Sequence, residues 1–287
     1  MENLRDPTAM ETLAARIRIE TLGAMAAFGG GHVGGCMSIA DALAALYGGV
    51  MRFDRARPDW PDRDRLVLSK GHCGPALYAA LALAGFFPLE WLKTLNQPGT
   101  RLPSHCDRLK TPGIDVSTGS LGQGASLACG LALAGQMRGK DYMVYAILGD
   151  GELQEGQVWE AFQFASHRRL SRLVFLIDRN RFQLDGATED ISALEPLPDK
   201  LRAFGLAVRE VDGHSTAEIS RALGDLRSSP GSSPHALVLH TRKGGGYPSA
   251  ERSALCHYMA VTAEDAEDAA REILGRLQTG SPVEDAQ

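Results

Sequence analysis

The sequence lacks several features that would assign it to a special class of protein. No run approaches the roughly 18 to 20 uninterrupted apolar residues of a membrane span, and no basic segment followed by an apolar run opens the chain. Acidic and basic residues are mixed, with a net charge of -5, which argues against a role on nucleic acid or on a membrane surface. We therefore expect neither a signal peptide nor a membrane segment.

The cysteines are too few and too dispersed for a disulfide framework or a structural zinc site. Free thiols in a reducing cytosol are the simplest interpretation, so we expect a cytoplasmic protein. The 287 residues, of which 44% are hydrophobic and 23% charged, suit a globular chain with one hydrophobic core. The five cysteines, none of them in a Cys-x-x-Cys pair, are Cys36, Cys73, Cys106, Cys129 and Cys256.

Short apolar runs alternate with helical patterns over most of the chain. This alternation predicts right-handed crossovers and an α/β fold of three layers, a mostly parallel sheet with helices on both faces. Buried strands are expected at Leu66–Leu68, Met143–Leu148, Leu173–Ile177, Ala207–Val211 and Ala236–His240. Helices are expected near 10–27, 75–84, 125–138, 156–168, 197–204, 216–227 and Glu264–Leu277.

A glycine-rich break at residues 29–35 separates the first helix from the second. Ser38-Ile39-Ala40-Asp41 has the pattern of a capping box, which predicts that the second helix starts there and runs to about Val50. In a parallel sheet, ligands bind beyond the carboxyl ends of the strands. Chemistry is therefore expected in the polar or glycine-rich segments that follow strands, namely Ser69–Pro75, Ser117–Gly124, Gly149–Gly156 and Arg242–His257.

Two of these segments have the residues of a metal and diphosphate site. The strand MVYAILG runs into Asp150-Gly151, and the strand RLVFLID is followed by Asn180, 30 residues after Asp150. This spacing fits a strand, a crossover helix and the neighbouring strand, so both side chains should emerge at the same sheet edge. Carboxylate and amide oxygens are hard ligands for Mg²⁺ or Ca²⁺, which take further ligands from phosphate and water. Glycine at 149 and 151 lets the backbone approach a diphosphate closely.

Gly-Asp-Gly alone is more often a simple turn, but with an asparagine at this distance it resembles the thiamine diphosphate signature. In that family the aspartate, the asparagine and a backbone carbonyl two residues later hold the metal. The resemblance implies Asp150, Asn180 and the carbonyl of Phe182 as ligands, with thiamine diphosphate and Mg²⁺ (or Ca²⁺) as cofactors.

Further motifs extend the resemblance to the transketolases, from about residue 10 to 275. They occur in transketolase order: GHVGG at 31–35, LSKGH at 68–72, STGSLGQG at 117–124, GDGELQEG at 149–156, VDGH at 211–214 and TRKG at 241–244. The chain is thus identified as a member of the transketolase family, with its thiamine diphosphate-binding fold. Residues 1–278 would form the domain that binds the diphosphate and metal, and 279–287 a disordered tail.

The resemblance also implies roles for individual residues. His32, His72, His105 and His257 align with active-site histidines, of which His72 and His257 would lie near the diphosphate. His105 would lie near the C1 hydroxyl of the donor, and His32 and His257 would face the acceptor. The cofactor would also contact Gly119, Ser120, Leu121, Gly151 and Asn180.

Glu155 and three departures from the family pattern complete the predicted site. Glu155 stands where the family contacts the activating glutamate of its partner, although helix N-termini favour a carboxylate in any case. Val33 replaces the usual proline after His32, and Tyr258 replaces the usual glycine after His257. Arg181 stands where split transketolases tend to have glycine or asparagine. These changes bear on the sugar channel.

The activating glutamate belongs to a second, pyrimidine-binding module that the resemblance does not cover in this chain. We therefore expect an obligate C-terminal partner subunit in an α2β2 heterotetramer. The expected reaction transfers a two-carbon ketol unit from a ketose phosphate to an aldose phosphate. The sugar stays open, and a branched pentulose phosphate or a sulfonated hexulose is as compatible as the pentose phosphates.

Three other functions remain as alternatives. The α subunit of a 2-oxoacid dehydrogenase shares the Asp150 to Asn180 signature, although the histidine motifs weigh against it. A deoxyxylulose-phosphate synthase is normally one long chain. A non-catalytic scaffold subunit would fit the altered Val33 and Tyr258 positions.

Overall fold

The computed structural model describes residues 7–253 and 255–279, and its centre is a five-stranded sheet. The strands of this sheet are β2 (Arg65–Leu68), β3 (Val144–Gly149), β4 (Leu173–Arg179), β5 (Ala207–Asp212) and β6 (His235–His240). All neighbours are parallel, in the order β2-β3-β4-β6-β5. The predicted parallel α/β sheet is confirmed.

Helices cover both faces of the sheet. They are α1 (Pro7–Phe28), α2 (Val33–Ser38), α3 (Ala40–Ala45), α4 (Gly74–Leu83), α5 (Gln123–Met137), α6 (Gly156–His167), α7 (Thr188–Ile191), α8 (Leu197–Ala203), α9 (Thr216–Ser228), α10 (Pro248–Glu251) and α11 (Ala263–Thr279). The expected tail lies outside the described residues except for Thr279, which ends α11. No helix in the described ranges is long and apolar enough to cross a membrane.

Side chains of the central strands alternate between the two faces of the sheet, so the apolar interior forms two layers. The composition predicted a single core. Tyr145 and Ile147 of β3 pack among α1, α3 and α4, whereas Ala146 and Leu148 face the opposite layer with α5 and α6. Successive side chains of a strand point to opposite faces, so a strand buried on both faces must be apolar throughout. The three-layer arrangement follows directly from these continuous apolar runs.

The edge strand β5 differs from its prediction as a buried strand. It pairs only with β6 in the described structure, and most of its residues are exposed or half-buried. Its Arg209 and Glu210 are exposed, as suits the polar side of a sheet edge. The apolar run was correctly assigned to a strand, but the sequence did not indicate that this strand lies at the edge of the sheet.

The predicted capping box at Ser38 is wrong. Helix α2 already starts at Val33, inside the glycine-rich segment, and Ile39 stands between α2 and α3 without a side-chain cap. Ser38 is fully buried and donates its hydroxyl to Asp178 Oδ2 at 2.7 Å instead. The Ser38 side chain therefore makes a long-range hydrogen bond in place of the helix cap that the local pattern predicted.

Two very short strands, which the sequence did not reveal, lie away from the main sheet. Strand β1 (Gly30–Gly31) pairs antiparallel with β7 (Met259–Ala260), with Gly31 opposite Met259. The pair joins the segment after α1 to the segment before α11, 228 residues apart in the case of Gly31 and Met259. It brings the histidine motifs at the two ends of the chain together.

Candidate active site

Asp150 and Asn180 lie at the same edge of the sheet. Their strands β3 and β4 are adjacent, and Asp150 N donates to the carbonyl of Asp178 at 3.1 Å. The Asp150 carboxylate accepts from Gly151 N at 2.8 Å and from Arg181 N at 2.5 Å. Both side chains are buried, with 2% of Asp150 and 7% of Asn180 exposed. The spacing in the sequence therefore predicted the meeting of these two residues correctly.

The amide of Asn180 is held in one orientation by two hydrogen bonds. Its Nδ2 donates to Asp178 Oδ2 at 3.0 Å, and its Oδ1 accepts from Phe182 N at 3.1 Å. The Phe182 carbonyl, the third predicted ligand, accepts from Lys243 Nζ at 3.3 Å. The three predicted ligands thus belong to two loops that touch.

These residues fit a divalent cation with a diphosphate. Burial, and then the charge of Asp178, raises the pKa of Asp150 to about 7, so a cation there would favour its ionised form. Gln183 Oε1, beside Gly151, is buried without a hydrogen-bond partner in the described structure. No group of three His, Cys, Asp or Glu that could hold a metal occurs in residues 7–253 or 255–279. The cation would therefore need phosphate or water as further ligands.

Asp178 is the centre of the site, although no sequence motif predicted a role for it. Its carboxylate is completely buried and accepts from Lys70 Nζ at 2.5 Å, from Ser38, from Thr241 and from Asn180. Burial alone would lower the pKa of Lys70, but the Asp178 carboxylate raises it above its ordinary value. Asp178 is the single acid in the apolar run RLVFLID and stands at its end. A carboxylate at the end of a buried strand is a signal that could have identified it as a site residue.

Two ammonium groups stand close to the predicted metal loop. Lys70 Nζ also donates to the carbonyl of Gly35 at 3.3 Å, and a Cβ added at Gly149 would meet Lys70 Cδ at 3.9 Å. Lys243 Nζ donates to the carbonyl of Gln183 at 3.0 Å. Both lysines lie inside family motifs, LSKGH and TRKG, yet only the geometry indicates that they neutralise charge at this edge.

The four predicted histidines form one cluster with His32 at its centre. The ring centroid of His32 lies 5.1 Å from that of His72, 6.2 Å from that of His105 and 5.3 Å from that of His257. The ring of Tyr258 is 5.2 Å away and edge-on. Residues from four separate motifs thus meet at one place.

Pairing of β1 with β7 explains part of this cluster. The register places Gly31 opposite Met259, and the next residues, His32 and Tyr258, have ring centroids 5.2 Å apart. Gly34 N donates to the carbonyl of Cys256 at 2.7 Å, and a Cβ at Gly34 would lie 2.7 Å from that oxygen. Glycine at 34 is therefore required for the two segments to approach closely.

The cluster connects to the predicted metal edge through the α2 segment. A Cβ added at Gly35 would lie 3.3 Å from His72 Nε2 and 3.4 Å from Lys70 Nζ. Gly35 thus separates the histidines from the Lys70–Asp178 ion pair by the thickness of one backbone. The predicted diphosphate and sugar regions are contiguous.

Burial favours the neutral form of three of the histidines. It lowers the pKa of His32 and of His105, with the charge of His72 as the next cause in each. The pKa of His257 falls to about 4, through burial and then the charge of Lys243. Neutral imidazoles can both donate and accept, as the binding of sugar hydroxyls and proton transfer require.

The STGSLGQG loop borders the cluster. Gly119 has a φ of +154°, and a Cβ there would lie 3.1 Å from His105 Cδ2. Ser120 is exposed and Leu121 is 38% exposed, so both are open to a ligand or a partner chain. Glu155 is also exposed, at the start of α6, with no side-chain cap hydrogen bond.

Two departures from the family pattern now have a local explanation. Val33 is the first residue of α2, a position where proline is tolerated because its N–H would be unpaired. Valine preserves this helix start, and its side chain is fully buried. Arg181 has a φ of +65°, in the left-handed region that glycine and asparagine adopt most easily.

The backbone of Arg181 leads to a stability prediction. A left-handed conformation costs an L-residue about 1 kcal/mol or somewhat more, and glycine avoids this cost. Part of the gain is offset, because glycine increases the conformational entropy of the unfolded chain. We expect Arg181→Gly to raise the free energy of unfolding by about 0.5 kcal/mol, measured by urea denaturation. Arg16→Gly on α1 is the control and should lower it, by about 1 kcal/mol. Equal effects of the two substitutions would contradict the explanation.

The lowered pKa of His257 leads to a pH prediction. Its pKa of about 4 in the folded chain lies below the ordinary value of 6.5, so between these values the unfolded chain binds more protons. His257 therefore makes the protein lose stability as the pH falls from 6.5 to 4. We expect His257→Gln to reduce the loss of unfolding free energy between pH 7.5 and pH 5. The exposed His167→Gln on α6 should leave that loss unchanged, and no difference between the variants would refute the prediction.

The chain belongs to the transketolase family: residues 9–280 match the model described as transketolase, thiamine diphosphate binding domain. Among solved structures, transketolase from Campylobacter jejuni superposes with a TM-score of 0.83 at 29% identity, over 91% of this chain and 42% of that one. Transketolase from Leishmania mexicana gives 0.82 at 31% identity, over 95% and 45%. The predicted family, fold and thiamine diphosphate-binding domain are confirmed.

The similar curated proteins include separate subunits. The chain is 54% identical, over 86% of its length and 90% of the relative, to the 6-deoxy-6-sulfo-D-fructose transketolase subunit SqwG of Clostridium sp. (strain MSTE9). It is 40% identical, over 86% and 88%, to an apulose-4-phosphate transketolase subunit of Phocaeicola vulgatus. Human transketolase is 38% identical over 96% of this chain but only 44% of its own length. These relatives favour a transketolase subunit over a 2-oxoacid dehydrogenase subunit.

Proposed function

We propose that this chain is the N-terminal subunit of a two-component transketolase whose donor is 6-deoxy-6-sulfo-D-fructose. The observation that carries the proposal is the 54% identity to a subunit of that activity, over 90% of the relative's length. The acceptor is an aldose phosphate. The products would be the acceptor extended by two carbons and a sulfonated aldose shortened by two.

Asp150, Asn180 and the Phe182 carbonyl would hold Mg²⁺ against the diphosphate. Lys243, which already donates to the carbonyls beside this site, would neutralise remaining phosphate charge. The raised pKa of Asp150 supports a cation there, because a buried carboxylate needs a compensating charge. When bound, thiamine diphosphate supplies the carbon nucleophile that carries the ketol unit.

The histidine cluster would bind and orient the sugars. The rings of His32 and His257 pack edge to face with centroids 5.3 Å apart, so a hydroxyl bound beside this pair could exchange a proton with either ring. His72 would also contact the diphosphate, and His105, packed on Gly119, would bind the C1 hydroxyl of the donor. Gly119, Ser120, Leu121 and Gly151 would complete the cofactor contacts.

The other half of the active site would come from a C-terminal partner in an α2β2 assembly. Relatives of matching length are named as subunits, which supports a partner. The exposed carboxylate of Glu155 is available to contact the partner's activating glutamate. We place the complex in the cytoplasm, since all five cysteines are free and buried.

Apulose 4-phosphate is the second candidate donor, supported by 40% identity to a subunit with that activity. The two donors differ in their anionic group and in their carbon skeleton. Both candidates predict the same cofactor site, so only the donor distinguishes them.

A donor competition tests the proposal. The chain is mixed with its C-terminal partner, thiamine diphosphate, Mg²⁺ and an aldose phosphate, and offered both donors at equal concentration. We expect the sulfonated ketose to be consumed at least about tenfold faster than the branched phosphate. When a site recognises one anionic group, the loss of a single polar contact to another donor lowers the rate by about that factor. Preferential consumption of the branched phosphate would select the second candidate, and consumption of neither would refute both.

A further inference from the structure

Glu152 is a buried carboxylate that neither the proposed chemistry nor the sequence motifs explain. It lies in the short helical turn Gly151–Gln154 after β3, and only 3% of it is exposed. A buried carboxylate is costly unless each oxygen receives hydrogen bonds. Its hydrogen-bond donors therefore indicate what the side chain does.

Both oxygens of Glu152 accept hydrogen bonds, and the donors belong to three different motifs. Oε1 accepts from Ser69 Oγ at 2.5 Å and from Gly122 N at 2.8 Å. Oε2 accepts from Gly149 N at 3.2 Å. Ser69 belongs to LSKGH, Gly122 to STGSLGQG and Gly149 to the segment that holds Asp150. One side chain thus fastens three loops of the proposed cofactor site.

The loops pack directly against one another at their glycines. A Cβ at Gly124 would lie 2.4 Å from Ser69 Oγ, and a Cβ at Gly71 would lie 2.7 Å from Gly119 N. Gly122 has a φ of +83° and directly precedes α5. Because these backbones are in direct contact, a shift of one loop must be transmitted to the others. The carboxylate fixes where they meet.

We propose that Glu152 is a positioning residue that holds the LSKGH, STGSLGQG and GDG loops in the arrangement that binds thiamine diphosphate. The inference rests on the proposed cofactor site and adds a determinant of its affinity. Glu152 itself is buried behind the loops and acts through Ser69, Gly122 and Gly149.

The test compares Glu152→Gln and Glu152→Ala with wild type in the complex with the C-terminal partner. Glutamine keeps an acceptor for Ser69 and Gly122 but turns an NH₂ towards Gly149 N–H, whereas alanine removes all three bonds. We expect the dissociation constant for thiamine diphosphate with Mg²⁺, measured by calorimetry, to rise about 10-fold for Glu152→Gln and about 100-fold for Glu152→Ala. The exposed Glu160→Gln on α6 is the control and should bind as wild type does.

Two further readouts separate positioning from general destabilisation. At saturating cofactor the kcat of Glu152→Gln should return to within about twofold of wild type. Amide hydrogen exchange should increase at Gly122 and Gly149 while β4 and β6 stay protected. Unchanged cofactor affinity in folded Glu152→Ala, or faster exchange throughout the sheet, would overturn the proposal. If wild-type complex does not bind thiamine diphosphate, the proposed function fails instead.

Discussion

Asp178→Ala should lower the free energy of unfolding by about 3 to 5 kcal/mol, the cost of leaving a buried charge without its partner. Lys70 would lose its counterion at a position where only 2% of its side chain is exposed. Ser38, Thr241 and Asn180 would lose their acceptor as well. Urea denaturation of the full chain measures the change.

Two further variants separate the ion pair from other effects of this substitution. Asp199→Ala removes an exposed ion pair with Arg202 and should cost less than about 1 kcal/mol. Lys70→Met in the Asp178→Ala background removes the unpaired charge and should recover part of the loss. If Asp178→Ala costs no more than Asp199→Ala, the buried ion pair does not stabilise the fold.

Asp150→Asn should reduce transketolase turnover of the reconstituted complex by more than about 100-fold. Loss of supporting groups around a metal already costs about 10- to 100-fold, and here the proposed ligand itself loses its charge. Gly151 N and Arg181 N bond to different oxygens of the Asp150 carboxylate, so the one oxygen of Asn can still accept from one of them, and the fold should be preserved. Turnover is measured at saturating donor, thiamine diphosphate and Mg²⁺.

The control for this prediction is Asp190→Asn, an exposed acid on α7 near the same loop. It should leave turnover unchanged. Calorimetry with Mg²⁺ and thiamine diphosphate should show weaker binding in Asp150→Asn only. Full turnover by Asp150→Asn would favour the scaffold alternative, in which this site has no catalytic role.

The sheet and the placement of Asp150 and Asn180 at one of its edges were predictable because their signals are local. Strands buried on both faces must be continuously apolar, so β3 and β4 stand out in the sequence. The spacing of 30 positions from Asp150 to Asn180 then determines which side chains meet. Edge strand β5 was identified as a strand, but its exposure depends on which neighbours it has.

The rest depends on contacts between distant segments, which no local pattern records. Ser38 matches a capping box, yet it bonds to Asp178, 140 residues away. Strands β1 and β7 have two residues each, too few for a periodic signal. Glu152 lies in the GDGELQEG motif, but its role follows only from its hydrogen bonds to Ser69, Gly122 and Gly149.

The central claim is that this chain provides the diphosphate half of a transketolase active site and that a partner provides the other half. The most direct test measures ketol transfer by the purified chain alone, by the C-terminal partner alone and by their mixture, each with thiamine diphosphate and Mg²⁺. We predict turnover in the mixture only. Robust turnover by this chain alone, or none in a mixture that forms a stable complex, would contradict the claim.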